Sequence, residues 1–177
     1  ENYQLSLALS RELGYKIAIS RTLGNLGTLF GLLGQPEQAA AYYLEGLAVD
    51  EEQANEAGMA WHLANLGEIY AMQGKYEQAL DYLDRGITIL RGRGTRHLLA
   101  EALDGKGNVL FALGRIDEAR AVQQETLDYA RQIGHSDTVF QAQILGARLS
   151  AATGDTSAAA QALHALAGAS SKDAELA

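Results

Sequence analysis

Apolar positions recur along this chain in two rhythms, one nested inside the other. Locally, Leu23, Leu26, Gly27 and Phe30 stand three, one and three places apart, and Leu63, Leu66, Gly67 and Tyr70 repeat the spacing. Those intervals put all four positions on one stripe of an α-helix, and the two-residue alternation of a strand is absent. Over a longer range the whole pattern returns after 40 residues, as Gly34, Gly74, Gly114 and Gly154 show, and Ala39, Ala79, Ala119 and Ala159 with them. A period of this size without insertions signals a solenoid, in which each repeat buries its apolar face only against its neighbours.

Each repeat reads as two helices, A and B. The first A runs from about Tyr15 to Leu33. Gly34 then suits the left-handed position after a helix end, and Pro36 suits the first position of the next helix, where its missing N–H costs nothing. Helix B continues to about Gln53 with Ala39, Tyr43, Gly46 and Leu47 inward; in the second repeat Ala79, Leu83, Gly86 and Ile87 take those places. The link from A to B is about two residues, so the pair must be an antiparallel hairpin. Gly67 and Ala79 are small where the two helices cross.

The third repeat keeps Leu103, Gly107, Leu110 and Ala119 but sets Lys106 where Leu26 and Leu66 stood, which predicts a weaker seam with the lysine stem laid along it. In the fourth, Gln143, Gly146 and Ser150 replace two leucines and an aromatic, and helix B, from about Thr156 to Ala167, is mostly alanine. At the other end Leu7 aligns with Leu47, Ile87 and Leu127, and Gly14 with Gly94 and Gly134, so residues 1–14 read as a helix B without its A. The expectation is one all-α repeat domain over 1–177, a solenoid of antiparallel helix pairs with about nine helices. It comprises the orphan helix 1–14, full repeats 15–54, 55–94 and 95–134, a degenerate repeat 135–168, and a tail 169–177. Gly168 to Ala177 is expected as loop or a first helical turn. Because Glu1 falls in mid-pattern and the chain stops soon after a repeat boundary, it is expected to be a segment of a longer protein.

Composition narrows the function. The hydrophobic share of 47% supports a folded chain. Lys+Arg 14 against Asp+Glu 22 gives a net charge of -8, which argues against general nucleic-acid or anionic-membrane binding, since both require a basic footprint. With no cysteine, disulfides and thiolate metal sites are excluded. No apolar run approaches the roughly 18 residues of a membrane span, and no secretory leader is read, so a cytoplasmic location is expected.

The run Leu63, Leu66-Gly67, Tyr70, Gly74, Ala79 and Leu83 resembles the tetratricopeptide repeat (TPR), here lengthened to 40 residues. The Leu-x-Asn-Leu-Gly version in the first two repeats is similar to the subgroup in mitotic-spindle polarity scaffolds, kinesin light chains and bacterial signalling regulators. The resemblance implies a right-handed superhelix whose A helices line a concave, partner-binding side. It fixes the fold and leaves the ligand open.

Counting along helix A from its buried leucines places Arg21, Gly24, Asn25, Thr28 and Gly31 on that side. The next repeats place Trp61, Ala64, Asn65, Glu68 and Ala71, then Glu101, Asp104, Gly105, Asn108 and Phe111. A carboxamide both donates and accepts, so stacked asparagines could grip the backbone of an extended peptide. In similar repeats the position of Asn25 and Asn65 binds ligand backbone; Gly105 and Leu145 depart from it, leaving a ladder of two rungs. Trp61, the single tryptophan, is the candidate anchor. The candidate partner-binding residues are thus Arg21, Asn25, Thr28, Trp61, Asn65, Glu68, Glu101, Asp104, Asn108 and Phe111. The alternative for the asparagines and for Trp61 is ordinary packing between helices.

Other chemistry reads as absent. His62, His97, His135 and His164 are too dispersed for a local metal motif and are expected on helix surfaces or half-buried. Gly105-Lys106-Gly107-Asn108 lies within a helical stripe and lacks the strand and Lys-Ser/Thr pair of a phosphate loop. Asp50, Glu51, Glu52 and Glu56 are expected as a solvated junction. Between Arg21 and Lys75 there are seven acids and no base, whereas Arg85, Arg91, Arg93 and Arg96 crowd the next junction. No catalytic residue, metal or cofactor is expected. The function expected is a protein–protein interaction scaffold for a peptide or partner domain, another domain of the parent protein included, within a larger signalling regulator. The alternatives are a small-molecule-sensing domain and a homo-oligomerisation scaffold.

In-helix glycines such as Gly27 and Gly46 each cost about 1 kcal/mol relative to alanine, so stability must come from stacking. Residues 55–94 alone are therefore expected to show no cooperative thermal transition by circular dichroism; a sharp melt of that fragment would refute the stacking argument.

Overall fold

The computed structural model describes residues 2–174, and among them the chain forms nine helices and no strand. In order these are α1 (Asn2–Glu12), α2 (Lys16–Leu32), α3 (Pro36–Glu52), α4 (Glu56–Met72), α5 (Tyr76–Arg93), α6 (Arg96–Ala112), α7 (Ile116–Ile133), α8 (Ser136–Ala152) and α9 (Thr156–Ala174). The last helix runs past Ala167, where the sequence placed its end, through most of the expected tail. That stretch holds no proline, and its one poor helix former, Gly168, costs only about 1 kcal/mol relative to alanine. Residues 175–177 of the tail lie outside the described residues.

Every helix is linked to the next by the same device. Gly14, Gly34, Gly74, Gly94, Gly114, Gly134 and Gly154 all have positive φ, between 68° and 86°. They stand at steps of twenty or forty, and Ala54, at φ 48°, fills the one gap in the twenty-residue series. At α2 the Gly34 N–H reaches Gly31 O at 3.0 Å and the Gln35 N–H reaches Phe30 O at 2.9 Å. At α3 the Ala54 N–H reaches Glu51 O at 3.1 Å and the Asn55 N–H reaches Asp50 O at 2.9 Å. These bonds satisfy carbonyls that a helix end would otherwise leave open. The backbone thus repeats every twenty residues, and the sequence every 40 because A and B carry different side chains.

The chain packs as two compact units, residues 1–102 and 103–177. In the first, Leu7 of α1 packs with Ile19, Leu23 and Leu26 of α2, and Phe30, Tyr42 and Val49 close over them. A second cluster joins Ala39, Ala40, Tyr43 and Leu47 of α3 to Leu63, Leu66 and Ile69 of α4, with Tyr82 and Ile89 of α5 against it. Stacked rings clasp both hairpins, Phe30 on Tyr42 at 5.3 Å between centroids and Tyr70 on Tyr82 at 5.2 Å. The small positions work as close crossings: a side chain at Gly67 would meet Leu83 and, at 3.3 Å, the Ala79 carbonyl. Truncating a leucine such as Leu66 in such a seam costs about 2–5 kcal/mol.

In the second unit α8 packs on α7 and α9 on α8. Here the stripe moves. Gln143, Gly146 and Ser150 are half-buried, while Ala142, Leu145 and Leu149, one place earlier in each case, are buried. The helix presents the residues that can be dehydrated cheaply, and Leu145, placed by the sequence on the partner-facing ladder, fills the space that Gly107 leaves open.

The acidic run is also not the bare surface that the sequence suggests. Glu45 pairs with Arg11, Glu52 with Lys16 at 2.9 Å, Glu51 with Arg85 at 3.5 Å, and Glu56 with Arg93 at 3.0 Å. Each pair is exposed and contributes under about 1 kcal/mol, but together they neutralise much of the charge across neighbouring helices.

Ala54 is the one non-glycine residue with positive φ among those described. A left-handed conformation costs an L-residue roughly 1–2 kcal/mol, against a smaller entropic cost of glycine in the unfolded chain. Ala54→Gly is therefore expected to stabilise the protein by about 0.5–1 kcal/mol in urea unfolding with an unchanged m-value. A loss of stability would contradict this account.

Candidate functional site

The first unit carries a cleft of about 370 Å³ between α2 and α4, lined by Ile17, Ser20, Arg21, Asn25, Asn55, Gly58, Trp61 and His62. Three of the sequence's candidates, Arg21, Asn25 and Trp61, meet there because α2 and α4 are the same helix one repeat apart. Arg21 and Asn25 are exposed, and no hydrogen bond or ion pair ties either to another described residue. Trp61 is half-buried: its ring meets Tyr43 edge-on at 5.6 Å, and a side chain on Gly24 would run into it. Packing and exposure therefore coexist in this one residue.

The floor of the cleft is a polar cluster that the sequence reading missed. Asp50 was expected in a solvated junction, yet only 1% of it is exposed; His62, expected near the surface, is also 1% exposed. Ser20 donates to Asp50 Oδ2 at 2.6 Å and Asn55 Nδ2 donates to Asp50 Oδ1 at 2.7 Å, so both carboxylate oxygens are satisfied. Asn55 also accepts the Gly58 N–H, as the N-cap of α4. His62 Nε2 lies 3.1 Å from Ser20 Oγ and 3.4 Å from Asp50 Oδ2. Since the Ser20 proton goes to Asp50, the consistent assignment puts a proton on Nε2 and leaves the lone pair of Nδ1, which has no partner. Burial drives the His62 pKa down to about 4 against the opposing pull of Asp50. The histidine is then neutral at pH 7: its Nε2 bonds to Ser20, and its 3.4 Å approach to Asp50 is not an ion pair.

A serine, a histidine and an aspartate in contact invite comparison with an acyl-transfer triad, but the geometry differs. In a triad the serine and the carboxylate sit on opposite ring nitrogens. Here both face Nε2, the hydroxyl is spent on the carboxylate, and Ser20 is buried. The cluster can hold α2, α3 and α4 in register and set the polarity of the cleft wall. The repeat register held a signal for it. Asp50 occupies the position of Ser10, Leu90 and Ala130, and His62 that of Thr22, Ala102 and Ala142, all of them buried. A side chain on Gly46 or Gly58 would collide with His62 or Asp50, so the small residues there make room for the pair.

The remaining candidates are engaged elsewhere. Asn65 Nδ2 donates to its own helix at Trp61 O, 2.7 Å away, and Asn65 Oδ1 accepts from the Tyr43 phenol at 3.3 Å. Thr28 reaches the same phenol at 3.0 Å. Burial pushes the Tyr43 pKa up, so the phenol stays a donor. Glu68 and Glu101 are exposed. Asp104, Asn108 and Phe111 fall in the second unit, where Arg148, unnoticed in the sequence, stacks 4.5 Å over the Phe111 ring and donates to Asn108 Oδ1 at 2.9 Å. Asn108 Nδ2 donates to the Asp104 carbonyl and to its Oδ2, both at 3.0 Å. Burial lifts the Asp104 pKa to about 6 despite Arg148 and Asn108, and its Oδ1 has no partner. No group of three or more potential metal ligands occurs among the described residues, and no helix of theirs is long and apolar enough to cross a membrane.

The sequence matches the family described as the MalT-like TPR region over residues 6–173. No curated protein sequence matches it. Among solved structures, aspartyl phosphate phosphatase F from Bacillus subtilis superposes with a TM-score of 0.77 at 20% identity, over 86% of this chain and 38% of that one. A Podosopora anserina protein described as a kinesin light chain with TPR-like repeats gives 0.79 at 14% identity, over 98% and 85%. The apo form of RapI gives 0.79 at 12%, over 98% and 70%. At such identities the likeness establishes the fold alone, and the chain spans well under half the length of the phosphatase.

The buried histidine has a consequence for stability. Its folded pKa, about 4, lies below the unfolded value of 6.5, so the neutral form stabilises the fold above pH 6.5 and that contribution is lost as pH falls towards 4. The expected loss is at most about 3 kcal/mol. Chemical denaturation at pH 7.5 and pH 4.5 should show this slope in the wild type and a flatter one in His62→Gln; parallel slopes would mean that His62 is not the group responsible.

Proposed function

Since this chain belongs to the MalT-like TPR family, we propose that it is a non-enzymatic protein-interaction module, one segment of a larger cytoplasmic signalling regulator. It takes a peptide or a partner domain on the α2–α4 face of the first unit. One observation carries the reading: in the cleft of about 370 Å³, Arg21 and Asn25 are exposed and without partners beside the half-buried Trp61. Polar groups that make no internal bonds exchange only water on binding, so a contact to them breaks no bond within the protein. Asn65 and Asn108 would first have to break bonds, and for that reason they rank below Asn25 as ligand contacts. The aromatic surface of Trp61 supplies the kind of anchor that dominates interface energetics.

A second reading has one observation in its favour. The cleft volume lies within the range of about 300–1,000 Å³ typical of small-molecule sites, so a sensing role for the same wall is the alternative.

The experiment is to select random dodecapeptides by display against the folded chain, then map a synthetic binder by amide and indole NMR shifts. The expected shifts centre on Arg21, Asn25 and the Trp61 indole, and Asn25→Ala should weaken binding about ten-fold with an unchanged melting temperature. Trp61→Ala is the poorer test, because its packing on Gly24 and Tyr43 makes a stability loss unavoidable. Shifts confined to α3 and α5, or failure to recover any binder, would overturn the groove assignment.

A further inference from the structure

We infer that α1 is the contact between two copies of this chain, which pair about a two-fold axis through Leu9 with Leu5 of each copy against Leu13 of the other. The face concerned is separate from the α2–α4 cleft, which no α1 residue lines. α1 is apolar on two opposite sides. Leu7 turns inward and packs with Ile19, Leu23 and Leu26 of α2. Leu5, Leu9 and Leu13, four residues apart, form a row on the other side and are between 52% and 72% exposed. A helix that is apolar on more than one side is a helix meant to be covered on each of them.

The repeat itself constrains what covers the outer row. In α3, α5 and α7 the place of Leu9 is taken by Val49, Ile89 and Tyr129, half-buried each time. The flanking places differ: Leu5 corresponds to Glu45, Arg85 and Glu125, and Leu13 to Gln53, Arg93 and Ile133. Where the solenoid continues, three of these side chains pair with a neighbouring helix, Glu45 with Arg11, Arg85 with Glu51 at 3.5 Å and Arg93 with Glu56 at 3.0 Å. α1 has leucine at both places, so a further charged hairpin would set its own ions against apolar surface with nothing to pair them. The partner that fits is apolar over the same three-leucine length, and a second α1 is such a partner. Ridges spaced by four residues interdigitate with one another at a crossing angle of about −50°, and an axis at Leu9 makes the row its own complement. Residues 2–10 carry no charge, so the net charge of -8 sets no like charges face to face along that stretch. With Tyr3 and Tyr15 exposed at the ends of the row, the contact falls below about 1,200 Å² in all, the range of weak association, and a dissociation constant on the order of 10 μM is expected.

The test is sedimentation velocity of the whole chain over concentrations that reach about fifty-fold above that constant, where a monomer–dimer equilibrium is expected. Leu9→Glu, which sets two acids against each other on the axis, should weaken dimerisation at least ten-fold with a wild-type circular dichroism spectrum. Leu5→Glu, the residue that the repeat carries at Glu45 and Glu125, serves if a charge at the central position fails to fold. Because the protein has no cysteine, Leu9→Cys introduces a sole thiol, and mild oxidation should link two copies far faster through it than through Leu32→Cys, a more exposed position at the end of α2. A chain that stays monomeric throughout, a dimer that withstands both acidic substitutions, or equal cross-linking of the two cysteine variants overturns the inference.

Discussion

A helix of seventeen or eighteen residues with one apolar stripe cannot keep that stripe from water alone; another helix must cover it. Everything in this protein follows from how that cover is arranged. Links with a positive-φ residue recur every twenty residues, and the stripe of α4 meets α3 on one side and α5 on the other. Leu63 and Leu66 are dehydrated this way, and the burial of such side chains, about 1.5–3 kcal/mol each, offsets what the in-helix glycines cost. Those glycines are needed in turn, because Gly27 and Gly67 let Tyr43 and Leu83 pack flat against the neighbouring helix. A seam of this kind is cooperative by construction, since removing one hairpin uncovers the next.

The junction of the first two repeats departs from a purely apolar seam. Asp50, Ser20 and His62 occupy core positions there, and burying them is tolerable only because nearly every hydrogen-bonding group is matched. The exception, His62 Nδ1, marks the residual cost. In exchange the cluster ties three successive helices together by directional bonds, which leucines cannot do. It also lies beside the wall against which Trp61 stands, a face of the first unit where unpaired polar side chains and aromatic surface lie side by side. Family membership supplies the platform and says nothing about its occupant; Arg21, Asn25 and Trp61 carry that question, and each can be altered separately.

Saturation, more than position, separates the candidate residues from one another. Asn25 and Asn65 are the same residue in the same place of successive repeats, yet Asn25 is free and Asn65 is bonded to Trp61 and Tyr43. Tyr43, in the helix between α2 and α4, donates to Asn65 Oδ1, and Asn65 Nδ2 donates to Trp61 O. In the second unit Arg148 does the same to Asn108.

The helices, their period, their left-handed links and the inward leucines of the first three repeats were legible in the amino-acid sequence, because each is written in local spacing that the 40-residue repeat then confirms. Residues that depart from the repeat were not. A charged or polar residue at a core position can be satisfied or can turn outward, and spacing alone does not distinguish the two outcomes. Thus Asp50 read as a solvated group and His62 as a surface or half-buried one, and the stripe of α8 was taken one residue late, from Gln143 in place of Ala142. Which amides remain open to a partner is likewise beyond reach of the sequence, since it depends on hydrogen bonds between residues twenty to forty positions apart. Periodicity determines where side chains start; only the packed neighbours decide which of them still have bonds to give.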